Sequence, residues 1–182
     1  MPELSDEKYM EQLRGGQFDA MTILFSRYQA AIYRYFFKQT FDGALSQDLT
    51  QQLFVRTFEK RDSFSGREGM FRPWIYRIAR NLWLDHLRVA GPKNKNTIEL
   101  TESFEAVHRH ELTFTEEDFN QLDRAINLLP EELKELIILS KYQCLRYAEI
   151  ARIMDISESA VKTRIHRAIK TLREIYFDKT DK

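Results

Sequence analysis

Glycine and proline are scarce in this chain, with six and four residues among 182, which argues for long helices and few turns. A single cysteine, Cys144, excludes an internal disulfide and fits a reducing cytosol. No apolar run approaches the roughly 18 residues of a membrane span. The start, Met1-Pro2-Glu3-Leu4-Ser5-Asp6-Glu7, has no basic signal-peptide region, so a cytoplasmic location is expected. A Gly-rich phosphate loop, a Ser–His–Asp signature and paired catalytic carboxylates are missing too. Neither an enzyme nor a cofactor is expected. His108 and His110 stand one residue apart without a cysteine set, so no metal site is assigned. His86 and Cys144 read as residues packed within or beside helices.

What is present is apolar enough to fold: 43% hydrophobic residues support cores rather than disorder, in one or two small domains. The net charge is zero, but it is segregated. Residues 56–95 hold ten Lys/Arg against four Asp/Glu, residues 96–135 hold three against eleven, and residues 136–170 hold seven against three. Two basic units thus flank an acidic middle, which suits two nucleic-acid-facing surfaces. The acidic middle can also repel DNA or shield those surfaces, so the isolated chain is expected to bind DNA weakly.

Hydrophobic periodicity predicts an all-α protein. A short helix runs from Asp6 to Arg14 and stops at Gly15-Gly16. A longer one spans Phe18 to about Phe41, followed by a break at Asp42-Gly43. Ser46 is the expected cap of the next helix, which runs to about Lys60. The polar loop from Arg61 to Met70 precedes a helix from Phe71 to about Val89, with Pro73 in its first turn. Trp74, Ile78 and Leu82 share one face of that helix, and Arg77, Asn81, Asp85 and Arg88 form a separate polar stripe. These four helices make a first domain, 1–90. Residues 91–114 form a flexible acidic linker, able to span roughly 80 Å if extended. A second domain, 115–182, opens on a helix capped at Thr115, and Pro130 restarts another.

Arg146–Met154 and Glu158 to about Tyr176 read as two helices joined by Asp155-Ile156-Ser157, a helix-turn-helix. Ile150, Ile156, Val161 and Ile165 fill the angle between them, Ala151 is small at the crossing, and Ser157 caps the second helix. Asp155 stands where many such turns carry Gly, and Asp tolerates the left-handed conformation. The outer side of the second helix carries Ser159, Lys162, Thr163, His166, Arg167 and Lys170, which can bond guanine edges or phosphates.

These two ends together resemble an extracytoplasmic-function sigma factor of the bacterial sigma-70 family. The matching stretches are Asp48–Val55, Phe71–Asn81 with Asp85 and Arg88, Leu129-Pro130, Tyr147–Ala151 and Ser159–Ala168. The resemblance implies a transcription initiation factor that binds core RNA polymerase and promoter DNA and helps to melt it. Asp48, Gln51, Gln52, Phe54 and Val55 then face the polymerase β′ clamp helices, with Gln52 where the family usually has Glu. Ser63, Phe64, Arg67, Arg72, Tyr76, Arg77, Arg80 and Asn81 face the −10 element, the loop capturing a flipped base. The helix-turn-helix reads the −35 element, the polymerase β flap is a further contact, and an anti-sigma factor is the implied inhibitory partner. The alternative is a helix-turn-helix regulator whose first domain binds a partner and which acts without polymerase. A helical adaptor that binds no DNA is a third class.

Overall fold

The computed structural model describes residues 4–67, 69–90 and 116–178. The expected cap Thr115 and the whole of the linker, with His108 and His110, lie outside them. All regular structure among the described residues is helical. The elements are α1 (Asp6–Arg14), α2 (Asp19–Thr40), α3 (Gly43–Glu59), a single 3₁₀ turn (Arg61–Ser63) and α4 (Phe71–Ala90) in the first half. The second half has α5 (Glu116–Asn127), α6 (Glu131–Ile137), a π-helical turn (Ile138–Tyr142), α7 (Tyr147–Met154) and α8 (Glu158–Asp178).

Local signals explain most of these boundaries. Ser5 caps α1, its hydroxyl accepting from the Lys8 amide, and Gly16 leaves the helix at a positive φ of 88°. The cap of α3 is Asp42 rather than Ser46. The Asp42 carboxylate accepts from the Leu45 amide at 2.9 Å, and Ser46 is fully buried one turn in. Helix α4 receives its N-terminal partner from elsewhere in the fold: the Phe71 amide donates to the Glu7 carboxylate of α1 at 3.2 Å. A carboxylate at that position satisfies one orphan donor and complements the helix dipole.

Leu13, Leu24, Ile32, Tyr35, Phe36, Leu49, Leu53, Phe71, Ile75 and Leu82 are buried in the first four helices. Ile126, Leu136, Ile137, Ile150, Ile153, Val161, Ile165 and Ala168 fill the second group. At the helix-turn-helix corner Asp155 takes φ 56° and ψ 49°, the left-handed geometry expected for it, and the Ser157 hydroxyl accepts from the Ala160 amide. Cys144 departs from expectation. It is exposed and sits at φ 50° in the turn before α7, rather than packed beside a helix.

The two helical groups are packed against each other. Helix α4 lies along α7, and α2 touches the π-helical turn. That contact decides which surfaces are open.

Candidate nucleic-acid interface

Helix α8 presents its outer face as the sequence predicts. Ser159, Lys162, Thr163, His166, Arg167 and Lys170 are all exposed, while Val161, Ile165 and Ala168, on the opposite side, are buried. The Thr163 hydroxyl donates back to the Ser159 carbonyl at 3.0 Å, which fixes its rotamer. Arg164, at the side, pairs with Glu132 of α6 and so ties the reading helix to its support.

On α3, Asp48, Gln51, Gln52 and Val55 are exposed on one face with Glu59, and with Arg56 half-buried they line a shallow groove. Phe54 does not belong to that face. It is 5% exposed and packs against Phe25 with ring centroids 4.7 Å apart. The i, i+4 periodicity that places Leu49 and Leu53 inside carries Phe54 inside beside them.

The loop after α3 is split in the same way. Ser63 and Arg67 are exposed, but Phe64 is 2% exposed, against Trp74 at 5.3 Å and Phe71 at 6.0 Å. Phe64 is therefore a core residue in this structure and not a platform open to a base. The Phe64 carbonyl also lies 3.5 Å from the Arg14 guanidinium, which holds the loop to α1.

The basic face of α4 meets the second half of the chain, with Arg72 and Arg80 half-buried and Arg77 exposed. Arg72 donates to the Gln143 carbonyl at 2.5 Å, and Arg77 donates to the Arg152 carbonyl at the end of α7. Arg80 pairs with the Glu135 carboxylate of α6 at 3.1 Å. Tyr76 is 1% exposed, its hydroxyl 2.7 Å from the Gln143 side-chain amide. Of the five α4 residues assigned to the −10 element, Arg77 and Asn81 are exposed, Arg77 while bonded to α7. Asp85 joins Arg56 at 3.1 Å and Arg88 at 3.3 Å, so it neutralises part of the polar stripe it belongs to.

The seam rests on residues that the sequence did not single out. Glu135 is buried and also accepts from the Tyr35 hydroxyl at 3.2 Å. Burial pushes its carboxyl above the usual range, opposed by the Arg80 guanidinium. Lys134, 4% exposed, donates to the Gln39 carbonyl in the last turn of α2, where the helix dipole favours a cation. Lys38 meets both oxygens of Asp123 at 2.7 Å. A charged pair Lys134-Glu135 in a polar-looking first turn carries no sequence signal of burial.

The fold and these surfaces define a class: a two-part helical protein with an exposed helix-turn-helix reading face and a basic second face. Comparison with known proteins places it further. The Sigma-70 region 2 family matches residues 24–92, and the Sigma-70, region 4 family matches residues 119–172. The chain is 31% identical over 176 residues to the ECF RNA polymerase sigma-E factor of Haemophilus influenzae, covering 91% of this chain and 92% of that one. It is 31% identical over 172 residues to the ECF RNA polymerase sigma factor BldN of Streptomyces coelicolor, covering 93% of this chain and 65% of BldN's length. The structure of CnrH in complex with the cytosolic domain of CnrY superposes with a TM-score of 0.71 at 21% identity, over 93% of this chain and 96% of that one. The chain belongs to the extracytoplasmic-function sigma factors of the sigma-70 family. It is a promoter-recognition factor of RNA polymerase and not an enzyme. No helix among the described residues is long and apolar enough to cross a membrane.

Proposed function

We propose that residues 1–90 dock on core RNA polymerase and engage the −10 element, that 91–114 link, and that 115–182 engage the −35 element. Asp48, Gln51, Gln52 and Val55 make the polymerase contact, and the exposed α8 residues read the −35 major groove. Ser63, Arg67, Arg72, Tyr76, Arg77, Arg80 and Asn81 are the −10 set, with Phe64 supporting their loop from inside. An anti-sigma factor is the proposed inhibitory partner, as the family resemblance implies, and the cytoplasm the proposed location. The observation that carries this reading is α8: six hydrogen-bonding side chains on the outer face of a helix held at the helix-turn-helix angle.

Transcription by purified core polymerase tests it, with RNA 5′ ends mapped with and without this chain. New start sites sharing spaced −10 and −35 elements support the reading. Identical start sites refute it. Replacing Asp48 and Gln51 together with Ala should leave stability within about ±0.5 kcal/mol, because both are exposed, yet weaken competition for core. Normal competition by the folded double variant removes the α3 face from the docking surface.

A further inference from the structure

We propose that α1 is a brace for the −10 loop, in which Glu7 and Arg14 hold the two ends of that loop in the shape that receives an extruded base. The proposal rests on the assignment of the loop to the −10 element. Glu7, Glu11 and Arg14 follow at i, i+4 and i+7, so they share one stripe of α1. That stripe runs along the loop. At the loop's start, the Arg14 guanidinium lies 3.5 Å from the Phe64 carbonyl and 3.9 Å from the Asp62 carboxylate. In the middle, the Glu11 carboxylate stands 3.7 Å from the point where a side chain at Gly66 would begin. At the end, where the loop becomes α4, the Glu7 carboxylate accepts from the Phe71 amide at 3.2 Å.

The loop needs support of this kind. Gly66 and Gly69 take φ of 71° and 68°, so the segment between Phe64 and Phe71 makes two left-handed bends. Two glycines give such a segment many alternative shapes, and a loop ordered only on binding loses that entropy when the base arrives. A loop already held at both ends does not. Helix α1 can hold it because α1 is itself fixed to α2. The Asp6 carboxylate accepts from Arg27 and from the Tyr28 hydroxyl, each at 2.6 Å, and Met10 and Leu13 are fully buried. The exposed Ser63 and Arg67 are then presented to DNA from a backbone set in advance. Glu7 and Arg14 are positioning residues in this role, acting through the loop backbone and touching no base.

The test uses core polymerase carrying the full chain. The probe is a fluorescent single-stranded oligonucleotide, the non-template −10 strand of a start site mapped with the wild-type chain. Abasic sites placed one at a time identify the captured base as the position whose loss weakens binding most. Glu7→Ala and Arg14→Ala should each shrink the effect at that position by at least about fivefold, while the other positions keep theirs. Glu7→Gln should retain most of the effect, because its amide oxygen still accepts from the Phe71 amide. Arg14→Lys should do the same, since it keeps a cation beside the Phe64 carbonyl. A merely structural helix predicts a different pattern, with binding weakened alike at every position. Arg14→Ala, whose side chain is 42% exposed, keeps the test valid where Glu7→Ala prevents folding. An undiminished effect at the captured base in a folded Arg14→Ala chain overturns the brace, and so does uniform weakening. If the wild-type complex shows no abasic-sensitive position, the assignment of the loop falls and the brace with it. If it shows one that the variants leave intact, the assignment stands and only the brace falls.

Discussion

Replacing Phe64 separates two roles that its position in the sequence makes equally plausible, base capture and core support. The ring is 2% exposed, wedged edge-on against Trp74 and Phe71. Truncating a buried Phe to Ala costs about 3–5 kcal/mol, through lost transfer energy and the cavity left behind. Each aromatic pair of this geometry carries about 0.5–1.5 kcal/mol within such a loss. Total stabilities of about 5–15 kcal/mol make this a large fraction. For a chain of this size each kcal/mol moves Tm by about 2–4 °C, so Phe64→Ala should melt about 6–20 °C lower. Urea unfolding at neutral pH gives the free-energy loss directly, provided the m-value is unchanged. Phe64→Leu conserves most of the volume and should cost less than about 1.5 kcal/mol. Promoter opening by polymerase carrying Phe64→Leu should then remain near normal. A stability loss below about 1.5 kcal/mol for Phe64→Ala refutes the core assignment. So does a stable Phe64→Leu chain that binds promoters but no longer opens them, because the ring would then be touching a base.

Three further outcomes follow from named contacts. Arg167→Ala should weaken −35 binding by about 1–3 kcal/mol, roughly 5- to 150-fold, if the guanidinium makes a bidentate base contact; an unchanged −35 footprint in the polymerase complex rejects that role. Asp155→Gly should stabilise the chain by up to about 1 kcal/mol, since φ 56° suits glycine better than any residue with a Cβ, and a lower melting point would show that the Asp155 side chain contributes more than its strain costs. Tyr28, Tyr35, Tyr76 and Tyr142 all have hydroxyls pushed upward chiefly by burial, Tyr76 from 10.0 to about 12. A phenol held neutral in the fold contributes stability that is intact below pH 10 and lost as pH rises through about 12. Phenolate absorbance should therefore show part of the tyrosine content lagging until alkaline unfolding releases it, whereas simple titration of all eight near pH 10 would refute the burial.

The helices were legible because they are long, amphipathic and punctuated by few breakers. The helix-turn-helix was legible down to a single backbone angle at Asp155, because a polar residue in a short turn between two periodic segments has few conformations open to it. The outer face of α8 was legible for the same reason: burial of Val161, Ile165 and Ala168 leaves its other residues facing outward. Phe54 and Phe64 are buried, as the local apolar period would have it, although the family role attached to their stretches suggests exposed faces. The seam was invisible for a different reason. Its residues are Lys38, Arg72, Arg80, Asp123, Lys134 and Glu135, each of a type that ordinarily faces water. Charged groups can be buried when a partner from another element satisfies them, and that partner stands up to about 100 residues away, as with Tyr35 and Glu135. No window along the chain contains both members of such a pair.

That seam bears on promoter opening through distance. In the closed chain α4 and α7 are in contact, whereas promoter elements separated by about 17 base pairs lie roughly 60 Å apart at 3.4 Å per step. A chain bound to both elements cannot keep the seam. Breaking one buried ion pair by removing a partner costs about 3–5 kcal/mol, but separating the domains returns both charges to water or phosphate, so the net cost is smaller. A closed state favoured by about 3 kcal/mol would leave under about 1% of free chains open and weaken −10 binding by the same factor. Extruding a base costs a few kcal/mol more, and stacking returns about 1–3 kcal/mol. Both costs fall on α4 and its loop. Polymerase offsets them together by holding the domains apart, so the free chain should recognise −35 duplex through α8 yet leave −10 duplex closed. Permanganate reactivity of −10 thymines with the free chain alone would break this link between the seam and the need for polymerase.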